Sequence, residues 1–294
     1  MLNLNESAVV GSEVALSLYP ILIKTIPVNI PTQIFSRLLT FTAASGSLST
    51  KADIFSLVSS QPALLRTLGL GLLTVAHIYV SYVAFSSLSA GVAMSLFYTY
   101  PLWNLIGGAA FFNETIHTST YGHMFIGILG TFLLSTKGIH DEFRGLTQNS
   151  LGALLGAAAA LSAALTESAM YFAVKTNEQQ NPWSSTLELY GGALIWALPM
   201  VLLGIVKVSY SFKTWLPIVG FNLIIGFLGY ALRFYTIPKV STEIFGLLSF
   251  TGVLSSFVFG YLFLKERPSM WSIVGALLVA YAASRIESLK TDKA

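Results

Sequence analysis

FSSLSAGVAMSLFYTYPLWNLIGGAAFFNE, residues Phe85–Glu114, is an apolar stretch with a proline halfway along (Pro101) and a glutamate at its close. At an offset of 152 residues the chain repeats it as Ile237–Glu266, IPKVSTEIFGLLSFTGVLSSFVFGYLFLKE. Seven of the 27 aligned positions from Leu88 to Glu114 are identical: Ser89/Ser241, Leu96/Leu248, Thr99/Thr251, Leu102/Leu254, Gly108/Gly260, Phe111/Phe263 and Glu114/Glu266. Apolar composition alone yields matched leucines and phenylalanines, but not a matched opening serine and closing glutamate, so the stretch marks an internal duplication. Earlier in each copy, Lys24-Thr25 and Pro31 recur at an offset of 151 as Lys175-Thr176 and Pro182. The copies diverge at their centre, where Tyr100-Pro101 stands opposite Gly252-Val253 and Trp103-Asn104 opposite Ser255-Ser256. The matched ends read as scaffold and the unmatched centre as the place to look for substrate.

A chain of 294 residues that is 54% hydrophobic and only 10% charged, with a mean hydropathy of +0.71, is too apolar for a water-soluble domain. Its net charge of +3 comes from scattered residues, with no basic run of the kind that binds nucleic acid. The absence of cysteine excludes disulfides, thiolate zinc sites and cysteine nucleophiles. The first apolar segment follows Glu6 and no basic residue, which reads as a retained helix rather than a cleaved signal.

Spans long enough for a hydrocarbon core of about 30 Å fall near 8–24, 32–48, 64–84, 89–112, 119–136, 150–174, 185–206, 214–234, 240–264 and 269–286. The longest polar stretch, Lys137–Asn149, separates the fifth from the sixth and divides the chain into halves 1–140 and 141–294. Five spans per half is an odd number, so the second copy enters the bilayer inverted. The expected fold is therefore an all-α membrane protein of ten transmembrane helices in two inverted five-helix repeats, an architecture of secondary transporters. Lysine and arginine divide almost evenly between the two sides. The C-terminal group Arg285, Lys290 and Lys293 favours both termini in the cytoplasm.

Several residues in this order resemble a known family. They are Gly11-Ser12 and Lys24 in the first span, Arg37 after Pro31, and the run Tyr82–Ala93 leading into the fourth span. Pro101 and Glu114 complete the first half, and Glu266 followed by Gly275 the second. With the duplication, over about residues 8–286, the chain resembles the EamA-like branch of the drug/metabolite transporter superfamily. The resemblance implies a transporter of small organic metabolites or amino acids, expected to export them, with a central site exposed alternately to each side. A sugar-phosphate or nucleotide-sugar exchanger of the same superfamily is the alternative, and a passive channel a weaker one. No cofactor or metal is expected, and the implied state is a monomer or homodimer.

An ionisable residue inside a span is costly, roughly 2.5 to 3.5 kcal/mol at the helix centre, and is functional by default. Glu13 and Glu167 lie in corresponding helices, on the order of 8 to 10 Å inside their interfaces at 1.5 Å per residue. They are the candidates for proton coupling. His77, near the middle of the third span, either titrates, binds substrate or packs. Arg37 and Glu188 occupy equivalent places and read as ion-paired or interfacial, while Glu114 and Glu266 read as structural or gating residues at span ends. Candidate substrate contacts are His77 with Tyr79, Tyr82, Tyr98, Tyr100, Trp103, Asn104, Tyr171, Trp196, Asn222 and Tyr230, an aromatic wall with a few polar handles. The ninth span holds no lysine or arginine from Ile244 to Leu264, and Arg233 and Lys239 read as helix-end cations. That argues against phosphate recognition. No H-E-x-x-H, G-x-G-D or G-x-S-G motif is present, so an intramembrane enzyme is not expected.

Overall fold

The computed structural model describes residues 2–88, 90–177, 181–207, 209–265 and 267–286; of residues 90, 91, 136–150 and 264 it describes the backbone alone. Glu266 lies outside the described residues. Every regular element among them is helical: α1 (Leu4–Leu16), α2 (Tyr19–Thr25), α3 (Ile30–Leu48), α4 (Lys51–Ser56), α5 (Gln61–Ser87), α6 (Ala90–Phe97), α7 (Tyr100–Phe111), α8 (Thr118–Leu134), α9 (Thr136–Lys175), α10 (Pro182–Leu202), α11 (Phe212–Phe221), α12 (Leu228–Thr236), α13 (Thr242–Leu264) and α14 (Met270–Ser284). A π turn (Asn222–Phe227) joins α11 to α12, and a 3-10 turn (Ile237–Lys239) follows.

The breakers between apolar runs are helix starts. Asn29 accepts a hydrogen bond from the Thr32 backbone N–H ahead of Pro31, and Asn181 accepts one from Ser184 ahead of Pro182. Each cap satisfies an orphan donor, and each proline sits in the first turn, where its missing N–H costs nothing. Within expected spans proline has a different effect. Pro20 and Pro101 cannot donate to the ladder, so the first span divides into α1 and α2 and the fourth into α6 and α7. The polar run Lys137–Asn149, expected as a joint, is helical and continuous with α9.

Among the described residues six helical stretches are long and apolar enough to cross a membrane: Leu4–Thr25, Gln61–Ser87, Leu151–Lys175, Pro182–Leu202, Phe212–Lys239 and Thr242–Phe263. α14 is a shorter apolar helix. The remaining expected spans are polar along one face (α3), short (α8) or broken (α6 with α7). Leucine, isoleucine and phenylalanine line much of the exterior, as at Leu65, Phe125, Leu154, Leu216 and Leu277. In water such a surface is unstable; in lipid it is the favourable one.

The packing runs across the chain. α1 packs on α12 and α13, α9 on α5, α6 and α7, α3 on α10, and α8 on α14. Glycine sets two close backbone-to-backbone approaches. A Cβ at Gly71 of α5 would lie 2.2 Å from the Gly192 carbonyl carbon of α10, and one at Gly275 of α14 would lie 2.3 Å from the Leu134 nitrogen of α8. Backbones meet there directly, the small-residue contact by which helices associate in lipid.

Candidate functional site

The break in the fourth span builds the site. Residues two apart on an unbroken helix point to different sides. Because the chain turns at Tyr98-Thr99 ahead of Pro101, the hydroxyls of Tyr98 and Tyr100 both reach Glu13, donating to Oε2 and Oε1 at 3.0 Å each. Gly252 of α13 leaves room for this, since a Cβ there would lie 1.9 Å from the Tyr98 hydroxyl. Its role is to admit that hydroxyl.

Glu13 is deeper than its sequence position implies. α1 begins at Leu4 behind a capping box of Asn3 and Glu6, which puts Glu13 nine residues in, about 13 Å along the axis at 1.5 Å per residue. Its third donor is Arg233, whose Nη1 lies 2.7 Å from Oε1. Nη2 of the same guanidinium lies 2.8 Å from Glu167 Oε1, and Glu167 Oε2 lies 3.1 Å from His77 Nε2. All four residues are at most 2% exposed. Arg233 closes α12 yet lies inside the protein, because α12 ends within the packed core and the 3-10 turn carries the chain onward. This overturns its reading as a helix-end cation, and with it the argument from absent deep cations.

Glu13 receives three aligned hydrogen bonds, whereas the contacts of Glu167 with His77 and Arg233 are short but poorly aligned. The imidazole's other nitrogen fixes the proton count. His77 Nδ1 lies 3.2 Å from the Ala163 carbonyl oxygen and 3.0 Å from Thr166 Oγ1, whose own proton is donated to Ser162 O. A carbonyl only accepts, so Nδ1 carries hydrogen. The Nε2 to Oε2 contact then needs one further proton, held on the imidazole or on the carboxyl. Two carboxylates sharing one arginine also leave one negative charge, which that proton neutralises.

Glu13, His77 and Arg233 line a cavity together with Arg37, Ser81, Tyr82, Tyr98 and Tyr230, closed on its apolar side by residues such as Phe85, Met94 and Phe97. It leaves about 40 Å3 for the centre of a water-sized sphere, room for a few waters where drug-sized ligands need roughly 300–1,000 Å3. Among the described residues Arg37 has no ion-pair partner, unlike the pairing its sequence position suggested. It is 3% exposed, donates from Nη2 to the Tyr190 hydroxyl at 2.7 Å, and lies over the rings of Tyr19 and Tyr230 at 4.4 and 4.8 Å.

Apolar helices around a buried, charged, water-sized cavity describe a membrane protein with a guarded interior site. The EamA-like transporter family matches residues 5–136 and, a second time, residues 151–285. The chain belongs to the EamA-like transporter family. It is thus a multi-pass membrane transporter of the drug/metabolite transporter superfamily and not an enzyme. It is 24% identical over 222 residues to the uncharacterized transporter YxxF of Bacillus subtilis (strain 168), covering 75% of this chain and 68% of that one. A protein of known crystal structure shares the fold, with a TM-score of 0.70 at 17% identity over 95% of this chain and 97% of its own.

In this EamA-like chain the residues singled out from sequence divide into three groups. His77, Tyr82, Tyr98, Tyr100 and Tyr230 gather with Glu13 and Glu167 around Arg233. Tyr79, Trp103 and Trp196 are corrected: they are 47%, 36% and 44% exposed and point outward, with the Trp196 indole N–H donating to Leu68 O at 2.8 Å. Depth within a span did not distinguish a lipid-facing from an inward ring. Asn222, Asn104 and Tyr171 are buried apart from the cavity. Asn222 accepts from the Tyr19 hydroxyl at 3.3 Å, and Asn104 has no partner for either end of its amide. Tyr171 meets Thr242 and Lys175, and Lys175 pairs with Glu114 at 2.9 Å. Glu188 pairs with Arg66 at 3.0 Å. Tyr19 and Tyr190, which cage Arg37, went unnoticed; Tyr19 adjoins the Pro20 break, a signal that was available.

Proposed function

We propose that the chain is a proton-coupled secondary transporter exporting small organic metabolites or amino acids by alternating access. Ten spans in two inverted repeats, 1–140 and 141–294, would surround the Glu13–Arg233–Glu167–His77 cluster, with both termini cytoplasmic. The observation that carries the reading is the His77–Glu167 pair: a buried contact whose neighbours demand one proton, beside a cavity with room for a few waters. Glu167 is the exchanging group and Glu13, saturated by three donors, the fixed one.

The crossed packing supports the repeat. Glu13 lies on the first span of one half and meets Arg233 on the third span of the other; Glu167, on the first span of the second half, meets His77 on the third span of the first. Lys24 reaches Leu88 O at the start of the fourth span, and Lys175 reaches Thr242 Oγ1 at the start of the ninth. Rocking of such repeats exposes a central site to each side in turn. The exchanger alternative regains deep cations but gains little, because Arg233 is committed to two carboxylates.

Reconstitution in proteoliposomes tests the coupling. Glu167→Gln abolishes pH-driven accumulation of amino acid or metabolite substrates while leaving insertion intact, and Glu13→Gln reduces it. Normal transport by both variants across a pH series would show the proton assignment to be wrong.

A further inference from the structure

We propose that Arg37 is the acid-binding group of the transport cavity in its open, substrate-admitting state, receiving the carboxylate of a small monocarboxylate whose apolar body lies against Phe85, Met94 and Phe97. The inference rests on the transport reading of the cavity and narrows its substrate. Arg233, Arg66 and Lys175 each pair with a carboxylate. Arg37 is as buried as Arg233, yet among the described residues no carboxylate lies within ion-pairing reach of it. Its cage of rings offsets part of the desolvation of a guanidinium, and its Nη2 donates to the Tyr190 hydroxyl with the Tyr82 and Tyr230 hydroxyls beside it, but among the described residues its Nε has no partner. A buried cation facing a cavity with an idle donor lacks a counter-ion, and the guanidinium fork fits a carboxylate.

Charge selects among anions. With one proton on the His77–Glu167 pair, Glu13, Glu167 and Arg233 sum to zero, and Arg37 supplies one unit of surplus positive charge. A carboxylate balances it, whereas a phosphomonoester dianion exceeds it by one. A zwitterion fits less well, because both Glu13 oxygens already accept from Tyr98, Tyr100 and Arg233, leaving no acceptor turned to an ammonium.

The test uses the full chain in nanodiscs and three probes of one shape: 3-phenylpropanoate, 3-phenylpropanamide and phenylalanine, with affinities from ligand-dependent thermal stabilisation. The acid binds at least about tenfold more tightly than the amide, the margin of a charge-assisted hydrogen bond, and more tightly than phenylalanine. Arg37→Gln brings the acid-to-amide ratio to about one. Arg37→Lys keeps a reduced preference, since an ammonium retains the charge and loses the fork. Equal affinity for acid and amide in the wild-type protein, tighter binding of phenylalanine, failure of all three to bind, or a ratio that survives Arg37→Gln overturns the proposal. Should Arg37→Gln fail to fold, the wild-type and Arg37→Lys ratios decide, and a Lys ratio equal to wild type counts against it. A wild-type protein that prefers the acid but shows no pH-driven accumulation refutes the proton coupling and leaves Arg37 standing; accumulation without preference does the reverse.

Discussion

Replacing Gly252 with alanine tests how tightly the two copies of the opening stretch interlock. The new Cβ would lie 1.9 Å from the Tyr98 hydroxyl oxygen, 2.8 Å from its ring carbon and 2.9 Å from Glu13 Oε2. Tyr98 must withdraw, breaking its 3.0 Å bond to Glu13. A hydrogen bond to a charged group contributes about 1.5–3 kcal/mol, and overpacking a filled interior costs about 1–3 kcal/mol. Alanine returns about 1 kcal/mol of helix propensity. The net expectation is a destabilisation of about 1.5–5 kcal/mol. Tyr98→Phe removes the same bond without the clash and costs about 1.5–3 kcal/mol. The double variant then loses that bond once instead of twice, so the cycle shows a coupling of about 1.5–3 kcal/mol. Reversible unfolding in mixed micelles gives all four free energies. A Gly252→Ala protein within about 0.5 kcal/mol of wild type, or an additive cycle, would refute the interlock.

Two further substitutions probe the site and its outer face. Arg233→Gln strands two buried carboxylates and destabilises the protein by about 3–5 kcal/mol, with partial recovery in Arg233→Gln/Glu13→Gln; an Arg233→Gln variant as stable as wild type in the same unfolding assay would contradict the ion-pair geometry. Tyr79→Ala changes stability by less than about 0.5 kcal/mol and leaves the substrate KM unaltered, and a shifted KM would mean that this ring reaches substrate.

The helical architecture and its duplication were legible because they rest on long apolar runs and matched ends. The proline breaks were visible as Pro20 and Pro101, and their effect follows from a missing N–H. What the sequence did not disclose was direction. Tyr82 and Tyr79 lie three positions apart on α5, one 1% and the other 47% exposed, and in a membrane helix both faces are apolar enough to hide which one turns inward. Arg233 was misjudged for a related reason: distance to a helix end measures depth in the bilayer only where helices are unbroken. Glu13 and Glu167 were recognisable as costly charges, but their shared partner lies 220 residues beyond Glu13, a pairing that no local pattern encodes. Gly252 acquires its meaning only from Tyr98.

That separation has a consequence for biosynthesis. Glu13 enters the bilayer while Arg233 is still untranslated, and at about 5–20 residues per second the interval is roughly 10–45 s. For that time the growing chain carries a carboxylate in its first helix without Arg233, and until Tyr98 and Tyr100 follow, 85 and 87 residues after Glu13, without any of its three donors. Those seconds are when an insertion chaperone or a quality-control protease has its opportunity, and a chain truncated before α12 never gains Arg233.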